Sequence, residues 1–254
     1  MFTPKTKRIE KLAELYPKII EDMEGVFDKP TNIYLDWQNV IHWQKKLRWN
    51  FDLKRMKQFF DSFDYIKNVK IYTGTLEGNK KSEQNIIELK SWGYDVTTKL
   101  VKKMKLSINT SSIPDNSPAL LQQFIKKSLL EKLDISTITY LNEKLSDLNK
   151  KEILFIEEEK CNFDVEMGRD LLKDFEFNGI ENFILWTTDS DFEDPIKQIR
   201  NDSKKAIIFA FSGKVASELD DTGVYVFSIK KIKEFVCWYK HLPQSLQDKI
   251  EGSV

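Results

Sequence analysis

The chain has 254 residues, and its 40 Lys and Arg side chains are balanced by 40 Asp and Glu side chains. The hydrophobic fraction of 41% supplies enough material for the core of a large α/β domain, which excludes global disorder. No apolar run reaches the roughly 18–20 residues that cross a bilayer, and the first residues lack a signal-like apolar stretch. We therefore expect a cytoplasmic protein without a membrane partner.

Helical and extended patterns alternate along the first hundred residues. In chain order they predict a helix at 5–24, a strand at 32–36, a helix at 52–63, a strand at 69–74, a helix at 80–92 and a strand at 95–100. Residues 101–152 are different, because they carry helical patterns at 118–133 and 138–149 but no strand pattern. This stretch is predicted to be a helical insertion.

The alternation resumes after the insertion. It predicts a helix at 163–175, a strand at 183–188, a helix at 192–201, a strand at 205–210, a helix at 213–220, a strand at 224–227 and a helix at 230–240. Near-continuous apolar strands that alternate with helices indicate a mainly parallel sheet covered on both faces. The predicted organisation is an N-terminal helix in 1–30, a domain at 31–240 and a tail at 241–254.

The cysteine and histidine content narrows the chemistry. Two cysteines, Cys161 and Cys237, cannot form a disulfide framework, and no CxxC pair is present for zinc. Two histidines, His42 and His241, exclude a His-rich metal site and disfavour a Ser-His-Asp triad. The phosphate-binding patterns GxxxxGK[ST] and GxGxxG are absent. Hydrolytic chemistry is therefore expected to use carboxylates.

Aspartates follow two of the predicted strands. Asp36 ends the strand 32–36, and Asp189 and Asp191 follow the strand 183–188. Sites in open parallel sheets lie beyond the carboxyl ends of the strands, so these acids are expected to meet at one edge. Asp164 can join them, because the helix it begins starts on the same side. A single Asp at a strand end is more often a turn or cap residue, whereas the combination favours a site.

Clustered carboxylates repel one another unless a cation lies between them. Oxygen ligands of this kind suit Mg²⁺ or Mn²⁺, either of which activates water at a phosphodiester. The uneven charge agrees with this, since residues 1–150 carry 26 basic and 19 acidic side chains, and residues 151–254 carry 14 and 21. Chance segregation of solvated charge is the alternative interpretation.

Three motifs in this order resemble the NYN domain family, of the LabA-like branch, within the PIN-like nuclease superfamily. The first is Asp36-Trp37-Gln38-Asn39 after an apolar strand. The second begins with Lys160 and contains Asp164 and Asp170, and the third is Thr187-Thr188-Asp189-Ser190-Asp191-Phe192, followed by Pro195. The resemblance covers about residues 31–240 apart from the insertion.

This resemblance implies a PIN-like three-layer α/β/α sandwich and a metal-dependent ribonuclease site. The implied catalytic and metal-binding residues are Asp36, Asp164, Asp189 and Asp191, with Asn39 orienting the first acid or contacting the substrate. The chain departs from the family at Thr188, where a Gly is usual, and at Lys160, which is one residue further from Asp164. The second departure weakens the expectation that Lys160 contacts a phosphate of the substrate.

Two further groups of residues complete the predicted site. Thr187, Thr188 and Asp170 are accessory candidates, although Asp170 lies about 120° around the helix from Asp164. Cations interleaved with aromatic rings are typical of proteins that bind single-stranded nucleic acid. The residues predicted to contact the substrate on this basis are Trp43, Lys45, Lys46, Arg48 and Trp49. Lys102 and Lys103, at the start of the insertion, are predicted to contact it as well. The alternative is that the rings pack inward and the lysines are only solvated.

The sequence therefore predicts a Mg²⁺- or Mn²⁺-dependent ribonuclease that acts on single-stranded or structured RNA. The first alternative is a non-catalytic regulator of the same fold that binds nucleic acid or protein. The second is a phosphatase-like enzyme, which the basic and aromatic segment disfavours. A homodimer is left open.

Overall fold

The computed structural model describes residues 1–211 and 215–251. The chain divides into a main unit, Met1–Leu100 with Cys161–Val254, and an inserted unit, Val101–Lys160. The strands are β1 (Thr31–Asp36), β2 (Ile66–Thr75), β3 (Asp95–Leu100), β4 (Lys102–Ser107), β5 (Phe155–Lys160), β6 (Asn182–Trp186), β7 (Lys205–Ala210) and β8 (Tyr225–Ser228). The α-helices are α1 (Lys7–Leu15), α2 (Pro17–Val26), α3 (Trp37–Val40), α4 (Trp43–Leu47), α5 (Leu53–Phe60), α6 (Lys80–Ser91), α7 (Lys127–Leu130), α8 (Ile135–Asn149), α9 (Asp164–Phe177), α10 (Glu193–Asn201), α11 (Ser217–Asp221), α12 (Lys233–Val236) and α13 (Gln244–Glu251).

The main unit contains a six-stranded sheet in the order β3-β2-β1-β6-β7-β8. Every strand pair in this sheet is parallel, so the predicted α/β fold class is confirmed. The chain builds outward from β1 in one direction and then returns to place β6 on the other side of β1. Such a reversal of strand order opens a crevice at the carboxyl ends of the two strands.

Two hydrophobic clusters cover the two faces of this sheet. Alternating side chains of β1 separate them, because Ile33 and Leu35 lie in one cluster and Tyr34 lies in the other. The first cluster includes residues of α1, α2, α5 and α12, and the second includes residues of α9, α10 and α11. The result is three layers, α/β/α, in which the central strands β1 and β6 are completely buried.

The predicted N-terminal helix is broken in two. The structure has α1 and α2 instead of one helix at 5–24, and Pro17 is the first residue of α2. Proline has no N–H to donate and disfavours the helical conformation at the preceding residue, Tyr16. The hydrophobic pattern continued across this break, so periodicity alone did not reveal it.

The inserted unit contains two strands that the sequence analysis missed. β4 and β5 pair antiparallel, with Lys103 opposite Glu159 and Lys105 opposite Glu157. The lysine and glutamate runs hid the strand pattern, since both strands are mostly exposed and the alternation in β4 is limited to Met104 and Leu106. Between them, α8 includes the predicted helix at 138–149, whereas 118–133 contains only α7 and a 3-10 turn at Leu121–Gln123.

The C-terminal part differs from the prediction in two places. The predicted helix at 230–240 is a series of short pieces around α12, and α13 forms where a tail was expected. The predicted helix at 213–220 begins outside the described residues, and α11 occupies its second half. In the described ranges, no helix combines the length and the apolar composition needed to span a membrane.

Candidate metal centre

Two aspartates stand at the carboxyl ends of the adjacent strands β1 and β6. Asp36 is the last residue of β1, where it pairs with Tyr72 of β2, and Leu35 pairs with Trp186 at the end of β6. Two threonines then lead from Trp186 to Asp189. The crevice at the reversal of strand order therefore begins with acidic side chains.

Three of the four predicted acids form a compact cluster. Asp164, Asp189 and Asp191 each offer a carboxylate oxygen, and these oxygens all lie within 4.8 Å of one another. Asp36 is not a member of this cluster, but it is close enough for the charges of Asp164 and Asp189 to raise its pKa. The structure thus brings all four predicted acids into one neighbourhood, with Asp36 at its buried side.

Asp36 is held by the helix that follows it. Its Oδ1 accepts a hydrogen bond from the backbone N–H of Asn39 at 3.2 Å, which makes it the N-cap of α3. Only 7% of the residue is exposed. Burial raises the pKa of Asp36 to about 6, against the Asn39 hydrogen bond and with help from the charges of Asp164 and Asp189.

Asp164 is placed by the start of α9. Its backbone N–H donates to Asn162 Oδ1 at 2.8 Å, which fixes the entry into the helix. Burial raises the pKa of Asp164, and the charges of Asp189 and Asp191 raise it further, whereas Asn162 and Lys99 oppose them. The carboxylate is therefore close to other negative charge that the described residues do not neutralise.

Asp189 and Asp191 are positioned by a turn. Asp189 Oδ1 accepts from the Asp191 N–H at 3.2 Å and caps the 3-10 turn Ser190–Phe192. Thr187 is fully buried, and its Oγ1 accepts from the Asp189 N–H at 3.2 Å. Thr187 thus orients the loop rather than facing a ligand, whereas Thr188 lines the cleft in front of the acids.

The donor set fits a hard divalent cation. Its oxygens come from carboxylates, which are the ligands that Mg²⁺ and Mn²⁺ take in proteins. Two of the carboxyl groups have raised pKa values because their negative charges are crowded and partly buried. A cation between them would remove that electrostatic cost. Cys161 lies beside the cleft, but burial raises its thiol pKa, which disfavours a thiolate role.

The acids open into a cleft of about 450 Å³. Asn39 lines this cleft, and so do Lys46 and three residues that the sequence analysis did not assign, Gln38, His42 and Asn162. Lys46 is exposed, and its Nζ lies 5.4 Å from the centre of the Phe211 ring. Gln38 and Asn162 stand beside predicted motif residues, a sequence signal that could have found them.

Several predicted substrate contacts require correction. Trp43 belongs to the lining of the acidic cleft, but Trp43 and Trp49 are only 4% and 5% exposed, so neither ring has a free face on which a base can stack. Trp43 instead donates from Nε1 to Asn39 Oδ1 at 3.0 Å, and Trp49 packs edge-on against Phe51. Their apolar surface is worth more in the core than in solvent. Lys45 and Arg48 are exposed and do not line the acidic cleft.

Two of the predicted lysines of the inserted unit form ion pairs with glutamates of the β4–β5 ladder. Lys103 forms an ion pair with Glu157 at 3.5 Å, and Lys160 forms one with Glu158 at 3.3 Å. Lys102 lies opposite Lys160 in the β4–β5 pairing. Because glutamates of β5 lie opposite Lys103 and Lys105 of β4, the ladder as a whole has no large excess of positive charge.

Asp170 has a different function from the cluster. Its Oδ2 accepts from the Tyr72 hydroxyl at 3.0 Å, and its Oδ1 pairs with Arg169 at 3.2 Å. These contacts fasten α9 to β2. Lys99, at the end of β3, pairs with Glu166 of α9 at 2.9 Å.

The raised pKa of Asp36 predicts a pH-dependent stability. A folded-state pKa of about 6 exceeds the unfolded value of about 3.9, so stability is lost as pH rises through 4 to 6. In metal-free protein, Asp36→Asn is therefore expected to raise the free energy of unfolding by about 1–3 kcal/mol at pH 8 and by nothing below pH 3.5. Urea unfolding at both pH values measures this. The control is Asp115→Asn at an exposed position, and a destabilised Asp36→Asn at pH 8 would contradict the assignment.

The parallel α/β sheet carries a carboxylate cluster at the reversal of its strand order, an arrangement that fits a divalent cation. Residues 114–229 match the NYN domain family, so this part of the chain is similar to an NYN domain. The match contains Asp164, Asp189 and Asp191 and begins after Asp36. It confirms the predicted NYN resemblance for these residues.

Two further comparisons add little. No curated protein matches the chain. The crystal structure of a protein of unknown function from Vibrio parahaemolyticus is similar, with 17% sequence identity and a TM-score of 0.48. The similarity covers 81% of this chain and 94% of that chain.

Proposed function

We propose that the protein is a metal-dependent ribonuclease of the PIN-like type that hydrolyses phosphodiester bonds in RNA. The observation that carries the proposal is the cluster of Asp164, Asp189 and Asp191 inside the region similar to an NYN domain. NYN domains generally bind RNA, which supports RNA as the substrate. A LabA-like affiliation, a cytoplasmic location and a homodimer stay predictions.

Each side chain of the cleft has a distinct role in this proposal. Asp164, Asp189 and Asp191 would hold Mg²⁺ or Mn²⁺, and Asp36 would contribute its charge from the buried side. A bound cation supplies Lewis-acid polarisation of the phosphodiester and lowers the pKa of water. Lys46, which is exposed on the cleft wall, binds a phosphate oxygen, and Asn39 offers its side-chain NH₂ as a further donor.

Metal-dependent cleavage of RNA is the direct test. Purified protein with Mn²⁺ is expected to cleave a panel of single-stranded and hairpin RNAs, and EDTA is expected to stop cleavage until Mn²⁺ is restored. Asp189→Asn is expected to lower the rate by about 100- to 1,000-fold, the range for removing one preorganised charge-stabilising group. Uncleaved RNA across the panel, or unchanged cleavage by Asp189→Asn, would refute the proposal.

A non-catalytic regulator is the second candidate, and one observation favours it. Thr188 stands in the cleft directly before Asp189, where the resembled family usually has Gly, so the wall beside the acids carries an extra side chain. Isothermal titration with Mn²⁺ separates the candidates. Stoichiometric binding that disappears in Asp189→Asn supports the enzyme, and no heat of binding supports the regulator.

A further inference from the structure

A second and larger pocket lies at the same edge of the main unit. It has a volume of about 530 Å³ and lies beside Thr73 and Gly74, near the carboxyl end of β2. Three indole rings line it, those of Trp37, Trp92 and Trp238. We call it the tryptophan pocket. Its size is within the range of sites for small ligands.

The rings of this pocket are accessible, unlike those buried in the core. Trp238 is 40% exposed, and Trp37 and Trp92 are half-buried. Lys240 adds a cation, with its Nζ 4.5 Å from the centre of the Trp238 ring. Accessible indoles next to cations are the elements on which single-stranded nucleic acids stack their bases.

Polar side chains in the pocket wall are available for a ligand. The amides of Asn50 and Asn85 and the ammonium of Lys81 line the pocket and make no hydrogen bond or ion pair with any described residue. The two acids of the wall are already engaged, since Asp52 caps α5 and pairs with Arg55, and Glu88 accepts from Gln84. Free amides match the hydrogen-bonding edges of a nucleobase, and a free cation matches a phosphate.

A groove lies between the tryptophan pocket and the acidic cleft. It shares Ile41, Gln44 and Asn50 with the pocket and shares His42 with the acidic cleft. Lys45 lines this groove. The short helix α3 lies between the two sites, because Trp37 faces the pocket whereas Gln38 and Asn39 face the cleft. One continuous concave path thus leads from the acids to the rings.

We infer that the tryptophan pocket binds a nucleobase of a single-stranded RNA whose backbone follows this groove past the acidic cluster. The path to the acids rests on the proposed function, whereas binding of a base by the indoles and free amides does not. Lys45 lies along the path and Lys81 at the pocket, which gives a polyanion positive charge beside its phosphates. Both lysines belong to the first half of the chain, which carries the excess of basic residues.

Base-specific quenching of tryptophan fluorescence tests the pocket without any cleavage. In EDTA, adenosine monophosphate is expected to quench the protein, whereas ribose 5-phosphate, which lacks the base, is expected to leave the emission unchanged. Trp238→Ala and Asn85→Ala are expected to weaken binding of a labelled 12-nucleotide single-stranded RNA by about 5- to 100-fold. The matched controls Tyr65→Ala and Ile87→Ala change exposed residues outside the pocket and are expected to bind within about twofold of the unchanged protein.

The outcomes separate this inference from the proposed function. Equal quenching by adenosine monophosphate and ribose 5-phosphate, or unchanged RNA affinity in both pocket variants, would overturn the assignment of the pocket even if metal-dependent cleavage occurs. Base-specific quenching and weakened RNA binding would establish the pocket even if Mn²⁺ produces no cleavage. When cleavage does occur, the pocket variants are expected to raise KM more than they lower kcat, because the base is bound away from the reacting phosphate.

Discussion

Replacing Asp164 with Asn is expected to reduce metal-dependent RNA cleavage by about 100- to 1,000-fold and to weaken Mn²⁺ binding by at least about tenfold. Asn keeps the shape of the side chain but removes a charged ligand from the three oxygens that lie within 4.8 Å of one another. The helix start is retained, because the hydrogen bond from the Asp164 backbone N–H to Asn162 does not involve the carboxylate. Single-turnover cleavage and Mn²⁺ titration measure the two effects.

Asp170→Asn on the same helix is the matched control. Asp170 accepts from Tyr72 and pairs with Arg169, and it is absent from the cluster. Asn can still accept the Tyr72 hydrogen bond, so cleavage and Mn²⁺ affinity are expected to stay within about threefold of the unchanged protein. Equal losses in Asp164→Asn and Asp170→Asn would mean that α9 tolerates no change of charge, and the assignment of Asp164 as a ligand would fail.

The acidic site could be predicted from sequence because its placement follows from topology. Parallel strands end at one edge, so Asp36 and Asp189 were expected to meet once their strands were recognised. The strands themselves were recognisable because burial on both faces makes them continuously apolar. Asp164 followed from its position at the start of the intervening helix.

The accessible rings of the tryptophan pocket could not be predicted in the same way. Composition does not distinguish the six tryptophans from one another, yet Trp43 and Trp49 are core residues and Trp238 is exposed. Trp238 is about 200 positions from Trp37 in sequence, and backbone hydrogen bonds of Val236 and Trp238 with Asp52 and Asn50 bring it to this edge. Such a long-range contact leaves no local signal in the sequence.

The strands β4 and β5 were missed for a related reason. β4 alternates Met104 and Leu106 with polar residues, but the segment is short and mostly exposed, and β5 is dominated by a run of glutamates. The two strands are joined by an antiparallel backbone ladder, in which Lys103 and Lys105 lie opposite Glu159 and Glu157. A pattern of lysines in one segment and glutamates in another, fifty residues away, is visible only when the pairing is known.

A buried charge network anchors the helix that presents Asp164. Asp174, ten residues further along α9, is 1% exposed and accepts from Lys70 Nζ at 2.7 Å. Asn32 and Tyr34 of β1 donate to the same oxygen at 2.8 Å and 2.6 Å. Although burial acts to raise it, these hydrogen bonds hold the pKa of Asp174 below its ordinary value. The network therefore stabilises the fold above about pH 4 and loses its contribution as pH falls further.

Asp174→Ala is accordingly expected to lower the free energy of unfolding by about 3–5 kcal/mol at pH 7, because it leaves Lys70 buried without its partner. Urea denaturation measures the loss, and Glu176→Ala, an exposed change on the same helix, is expected to cost less than about 0.5 kcal/mol. Adding Lys70→Met to Asp174→Ala is expected to restore part of the stability, since the unpaired cation is then removed. If Asp174→Ala were as stable as Glu176→Ala, the network would not hold α9. A loss confined to Asp174→Ala would instead show that this buried network stabilises the packing of α9, the helix that begins with Asp164, against β1 and β2.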